Sequence, residues 1–196
     1  MIFETNLSPY IPESGRTFID IGASEGAWSH SLAPHYLRVI AFEPHIVDWQ
    51  ARGNIEIYEE ALSDAEKEVK FYIYENSNCS GYVFNNKKKH VDWVNSDVLE
   101  TIKANTKTLD SYNFTDVDLI KIDVEGAEYD VLLGATKTIN KNHPKLIIEN
   151  HTKNHKKIKK LLSEWGYNLR FEICERDPDM ERYFWIIGEY DESNNL

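Results

Sequence analysis

Apolar residues in this chain gather in short runs broken by glycine and polar clusters, a pattern of buried strands alternating with modest helices. Thr17–Ile21, Val39–Glu43, Ile55–Tyr58, Leu119–Val124 and Lys145–Glu149 each read as a strand buried on both faces. A glycine turn after the first strand leads into a predicted helix over Ala27–Ala33, and a short polar helix is expected after Pro44. Tyr129–Leu133 reads as a helix behind the Leu119–Val124 strand. Ile158, Leu161, Leu162 and Trp165 recur at helical spacing, which predicts a helix over Thr152–Trp165, and Gly166 ends it. Strand–helix alternation of this kind predicts a parallel sheet with helices on both faces.

Other stretches depart from that rhythm. Val69–Tyr74 and Val98–Ala104 read as added strands, and Thr108–Tyr112 as a capped short helix. Residues 75–97 show no period, and a stretch that long predicts a functional loop. Tyr167–Cys174 and Tyr183–Tyr190 flank Glu175–Asp179 and predict an antiparallel hairpin. Asp191–Leu196 is expected to fray. The fold class that follows is α/β and Rossmann-like: a mostly parallel central sheet, a C-terminal antiparallel hairpin, helices on both faces, in one domain over 1–196.

Bulk properties narrow the partners. The formal net charge of −11 argues against a nucleic-acid backbone as main partner. Two cysteines, Cys79 and Cys174, show no metal-ligand spacing and suit a reducing cytoplasm. The first residues form no charged-then-apolar leader, and no apolar run is long enough to span a membrane as a helix.

The chemistry begins at Phe18-Ile19-Asp20-Ile21-Gly22-Ala23-Ser24-Glu25-Gly26, followed by Val39-Ile40-Ala41-Phe42-Glu43. Gly22 and Gly26 read as positions where a Cβ would block a ligand. Glu43 ends the second strand, where a carboxylate can accept both ribose hydroxyls of a nucleoside. The Gly-x-Gly pair of dinucleotide sites is absent, which disfavours a nicotinamide-dependent oxidoreductase. The acidic start at Asp20 suits a cofactor without phosphates that carries cations, such as the sulfonium and ammonium of S-adenosylmethionine.

A second constellation is Lys121-Ile122-Asp123-Val124-Glu125-Gly126-Ala127-Glu128. Strand alternation puts Lys121 and Asp123 on one face, where they can pair. Asp123 sits at the carboxyl end of its strand, the rim where open α/β sheets bind ligands. Glu125 and Glu128 suit the first turn of the next helix, Glu128 as its cap. Glu149, Asn150 and His151 end the neighbouring strand and are expected at the same crevice. His151 could take a proton from a substrate hydroxyl. Alternatively, Asp123, Glu149 and Asn150 could hold a divalent cation. A purely structural role, with His151 capping a helix and Lys121 paired to Asp123, also fits.

Together the motifs resemble the FkbM-type family of S-adenosylmethionine-dependent methyltransferases. The matching residues are Phe18–Gly26, Val39–Pro44, Ala61–Asp64, Thr108–Asp110 and Asp118–Glu128, with weaker likeness through Gly134-Ala135 and Pro144–Glu149. The resemblance implies a class I methyltransferase fold, S-adenosylmethionine as donor, and a hydroxyl of a sugar, glycan precursor or secondary metabolite as acceptor. It implies cofactor contacts from Asp20, Gly22, Ala23, Ser24, Gly26, Glu43, Pro44, Ala61, Leu62 and Asp123. By position in the fold, Lys121, Asp123, Glu149 and His151 become the catalytic candidates. A non-catalytic protein of the same fold that only binds cofactor or a partner is the alternative. Family members often carry Asn where Ser24 stands. Few residues precede the first strand, so the acceptor pocket is expected from residues 75–97, with Tyr82, Phe84 and Trp93 as lid aromatics. Lys153, Lys156, Lys157, Lys159 and Lys160 crowd one helix, read as a solvated face or as an attractor of an acidic acceptor.

Overall fold

The computed structural model describes residues 7–46, 49–74, 81–83, 98–151, 154–173 and 183–195. Its central strand is β1 (Gly15–Ile21), paired in parallel with β2 (Tyr36–Phe42) on one side and β8 (Val117–Ile122) on the other. Outward from β2 lies β3 (Ile55–Tyr58), and outward from β8 lies β9 (Lys145–His151), all parallel. Beyond β9 come β11 (Tyr183–Tyr190) and β10 (Tyr167–Ile173), both in antiparallel pairings, giving the order β10-β11-β9-β8-β1-β2-β3. The returning strand of the hairpin therefore sits inside and the outgoing strand forms the edge.

Each sheet face is closed by its own layer. Phe18, Val39, Ala41, Leu119, Ile147 and Ile187 share one face with Leu32 of α1 (Ala27–Leu32). Ile19, Ile21, Ile40, Ile120, Ile122, Leu146 and Ile148 form the other. They pack with α2 (Glu128–Gly134), α3 (Thr136–Asn142) and α4 (His155–Glu164) through Val131, Leu132, Ile139, Ile158 and Leu162. All of these side chains except Leu32 and Ile21 are wholly buried, which is why the runs read as continuous rather than alternating.

The added strands expected at Val69–Tyr74 and Val98–Ala104 form, but in a second sheet that the apolar pattern did not separate from the first. This second sheet has the order β4-β7-β5-β6, built from β4 (Ala61–Leu62), β5 (Lys67–Tyr74), β6 (Gly81–Val83) and β7 (Val98–Lys107). Val69, Phe71 and Ile73 of β5 pack with Ile102 and Ala104 onto Val124 and Ala127. The added sheet thus leans on the loop after β8. Residues 75–80 and 84–97 of the expected acceptor loop, Phe84 and Trp93 included, lie outside the described residues, while Tyr82 falls in β6, opposite Phe71.

Local signals resolve differently in places. The described residues between Pro44 and Asn54 form bends and a turn, not the expected helix. A short 3-10 turn forms at Leu109–Tyr112, but Thr108 makes no side-chain cap. Asp110 instead accepts the Lys137 and Thr138 backbone N–H groups at 2.9 and 2.7 Å, capping α3. The chain end does not fray at once: Asp191 accepts the Ser193 N–H at 2.9 Å and the Asn168 amide at 2.8 Å, holding a 3-10 turn at Glu192–Asn195. Among the described residues, no helix is long and apolar enough to cross a membrane.

Candidate functional site

The site is built where β1, β2, β8 and β9 end together. After β1 the chain turns at Gly22 (φ 74°), and the Gly22 and Ala23 N–H groups donate to the Phe42 carbonyl at 2.9 and 3.1 Å. The turn therefore folds over the end of β2. A Cβ on Gly22 would lie 1.8 Å from the Asp123 carbonyl oxygen, and one on Gly26 would lie 2.3 Å from the Trp49 ring. Both positions also have positive φ. This corrects the expected reason for the glycines: the protein's own backbone and indole fill the space, and a ligand need not.

Ser24 stands in the left-handed region at φ 49°. That conformation suits asparagine better than serine. Its N–H donates to Glu43 at 3.0 Å, and the His45 N–H donates to the other carboxylate oxygen at 3.1 Å. Each Glu43 oxygen keeps a second lone pair. Burial pushes the Glu43 carboxyl up to about 7, against the pull of those two N–H groups and of Lys121. Pro44 follows, half-buried.

Asp20 is wholly buried. Ser29 donates to one of its oxygens at 2.7 Å, and the Lys121 ammonium lies 3.3 Å from the other. Lys121 also sits 3.4 Å from Asp123 and donates to the Gly22 carbonyl at 2.7 Å. The expected Lys121–Asp123 pair forms, but the ammonium also bridges to β1. Burial pulls the Lys121 pKa down; Asp123, Asp20 and Glu149 outweigh it and push it up to about 12. At 3% exposure the ammonium anchors the turn from below.

Above it sits a carboxyl group of three. Ligand oxygens of Asp123, Glu125 and Glu149 all lie within 4.8 Å of one another. Burial first, and then the negative charge of Asp123, hold the Glu125 and Glu149 pKa values well above the ordinary range. Glu149 shares a hydrogen bond with Asp123. Trp185 pairs directly across from Glu149, and its ring lies 6.0 Å from Trp28 of α1, so two indoles border this end of the sheet.

Sequence reasoning placed Glu125 in the first turn of a helix. In fact α2 starts at Glu128, and Glu125 lies ahead of it at φ 57°. Only the fold of that turn brings it to the acidic group. Glu128 opens α2 and accepts the Gly126 N–H at 2.7 Å, which braces the turn ahead of the helix rather than capping a helical N–H, and burial raises its carboxyl to about 7. The expected convergence of Asn150 with Glu149 does not occur. Successive strand residues face opposite sides, and Asn150 is wholly buried on the side of Leu146 and Ile148. The His151 backbone ends β9, but its side chain lies outside the described residues. Ala61 and Leu62 pair with β7 and are 3% and 2% exposed, so they back the adjoining wall rather than present an open face.

A search of curated proteins finds no match to this chain. Among solved structures, the FkbM methyltransferase of Methylobacillus flagellatus KT superposes with a TM-score of 0.57 at 16% identity, over 91% of this chain and 45% of that one. The chain thus spans under half the length of that relative. A precorrin-6y C5,15-methyltransferase from Geobacter metallireducens GS-15 superposes with a TM-score of 0.51 at 13% identity, over 94% and 85% of the two chains. The precorrin 8W decarboxylase of Methanobacterium thermoautotrophicum gives 0.50 at 11% identity, over 95% and 87%. These likenesses establish the class I methyltransferase fold. The family model of the FkbM methyltransferase domain matches residues 20–169, from the buried Asp20 through the acidic group to β10, and the chain belongs to that family.

Proposed function

We propose that the protein transfers the methyl group of S-adenosylmethionine to a hydroxyl oxygen of a sugar, glycan precursor or secondary metabolite. The observation that carries this reading is the meeting of Asp123, Glu125 and Glu149 at the strand ends beside the Gly22 turn. The residues fit the cofactor's chemistry. The spare lone pairs of Glu43 suit two ribose hydroxyls, and the surplus of carboxylates over the buried Lys121 suits a ligand with a sulfonium and an ammonium. Gly22, Ala23, Ser24, Gly26 and Pro44 would frame its methionine and ribose ends. Asp20 would act through its field, because its oxygens are engaged by Ser29 and Lys121. Ala61 and Leu62 would support the adenine side from behind.

The bound cofactor would supply an electrophilic methyl group, and alignment with the acceptor oxygen supplies much of the acceleration. The chain's part is to orient that oxygen and take its proton. Glu149 suits the base, since a carboxyl held well above its ordinary pKa is matched to work near neutrality. His151 remains the second candidate for that proton. Lys121 becomes a positioning residue, holding Asp123 and the Gly22 carbonyl in place. The close oxygens of Asp123, Glu125 and Glu149 favour a second reading, in which a divalent cation binds there and acidifies the hydroxyl. Cys79 and Cys174 lie outside the described residues and are taken with a cytoplasmic setting.

Calorimetry with S-adenosylmethionine, S-adenosylhomocysteine and NAD tests the cofactor. Binding of the two adenosyl ligands but not NAD is expected, and the reverse refutes the reading. Transfer of labelled methyl from S-adenosylmethionine to fractionated glycans and metabolites then separates an enzyme from a cofactor-binding protein. Glu149→Gln should lower turnover while leaving S-adenosylhomocysteine affinity near wild type. Chelator followed by magnesium add-back decides the cation.

A further inference from the structure

The outer face of α4 carries a charge opposite to that of the chain as a whole. Lys156, Lys157, Lys159 and Lys160 are all exposed there, in a protein of net charge −11. At about 100° per residue they span roughly 160° of the helix circumference. Ile158 and Leu162 fill the buried remainder. The ammonium groups diverge. Lys157 lies 5.3 Å from the Tyr129 ring centroid on α2, while Lys159 lies 5.9 Å from that of Phe171 on the edge strand β10. Among the described residues, Glu164, 3.7 Å from Lys160, and half-buried Asp130, whose charge acts with that of Lys157, are the carboxylates that face the patch. They leave it net positive. Burial first, and then the fields of Lys159 and Lys156, lower the His155 pKa.

Apolar groups flank this crest. Phe171 is 43% exposed beside Lys159. Leu133 is 38% exposed and lies one turn along α2 from Tyr129, on the same face. Diverging ammonium groups on a convex ridge cannot gather around one small phosphate. They suit an extended anionic surface, and the flanking Phe171 and Leu133 suit one with an apolar layer beneath its charges.

We propose that the α4 face docks the protein on an anionic lipid bilayer, with Lys156, Lys157, Lys159 and Lys160 on the headgroups and Phe171 and Leu133 at the apolar boundary. The remaining acidic surface disfavours other approaches, so the lysine face sets the orientation. That orientation matters for the site. Asn154, ahead of α4, donates its amide to the Gly126 carbonyl at 3.1 Å, next to Glu125. Docking would therefore bring the rim of the crevice towards the bilayer and favour acceptors held there.

Flotation of the full chain with vesicles of phosphatidylglycerol and phosphatidylcholine, against phosphatidylcholine alone, tests this at about 0.1 M salt, where the Debye length is about 10 Å. Capture by the anionic vesicles only is expected, falling as salt rises. Each lysine at such a surface is worth about fivefold in partition, so Lys156→Gln with Lys160→Gln should lose about 25-fold. Phe171→Ser should weaken capture without changing its salt dependence. S-adenosylhomocysteine affinity should stay at the wild-type value in all of these variants, and thermal unfolding should stay there in the lysine variant, while Phe171→Ser, which loses the His155 ring contact, should melt somewhat lower. Absent capture, equal capture by neutral vesicles, or undiminished capture of the double lysine variant would overturn the proposal. So would lysine-dependent capture by a DNA duplex in place of vesicles. No methyl transfer is read, so failure here leaves the proposed reaction standing, and failure of that reaction leaves this test intact.

Discussion

Replacing Lys121 with methionine probes the whole site at once. The side chain is 3% exposed, and its ammonium meets the wholly buried Asp20 at 3.3 Å, Asp123 at 3.4 Å and the Gly22 carbonyl at 2.7 Å. Methionine keeps most of the volume but strands the Asp20 charge, leaving only the Ser29 hydroxyl to answer it. Breaking one side of a buried pair costs about 4 kcal/mol, mostly from the unpaired charge. For a domain of this size each kcal/mol moves the melting temperature by about 3 °C, so Lys121→Met should melt roughly 12 °C lower. Asp20→Asn in the same chain removes the stranded charge, retains an acceptor for Ser29, and should recover half or more of that loss. Thermal unfolding of the four members of the cycle gives the coupling directly. Additive single effects, or a Lys121→Met cost below about 1 kcal/mol, would refute the view that this lysine is held by charge rather than by its stem.

Two further outcomes follow from the same geometry. Gly26→Ala places a Cβ 2.3 Å from the Trp49 ring at φ 77°, so it should cost at least ~2 kcal/mol, read by urea unfolding; an unchanged midpoint would show that Trp49 moves aside freely. Glu43 and Glu128 have folded pKa values of about 7, above their unfolded value near 4.5. The folded state therefore holds protons that the unfolded chain has lost, and their contribution to stability falls as pH rises from about 4.5 to 7, then levels off. Glu128→Gln should accordingly gain stability over wild type at pH 8 and little at pH 5; equal effects at both would sink the assignment.

Much of this molecule can be read before it is folded. The runs at Phe18, Val39, Leu119 and Leu146 are apolar throughout because these strands are covered on both faces, so a parallel sheet between helix layers follows from composition along the strand. The turn at Gly22 and the carboxylate at the end of β2 are local in sequence, and their chemistry is legible there. The second sheet is legible only in part: Val69–Tyr74 and Val98–Ala104 read as strands and form β5 and β7, but β4 has two residues, too few to carry a period, and nothing local says that these strands leave the main sheet to pair with one another.

Strand alternation already pairs Lys121 with Asp123, but tertiary structure decided which charges meet across strands. Lys121 pairs with Asp20 because β1 and β8 align those two residues side by side, a register that links positions far apart in the chain. Glu125 reaches Asp123 and Glu149 because the backbone turns left-handed ahead of α2, while the strand pleat carries Asn150 away to the opposite face. Local sequence determines where a strand ends and what it ends in. Register and turn geometry determine which of those ends face one another, and at this crevice they turn a list of carboxylates into a site.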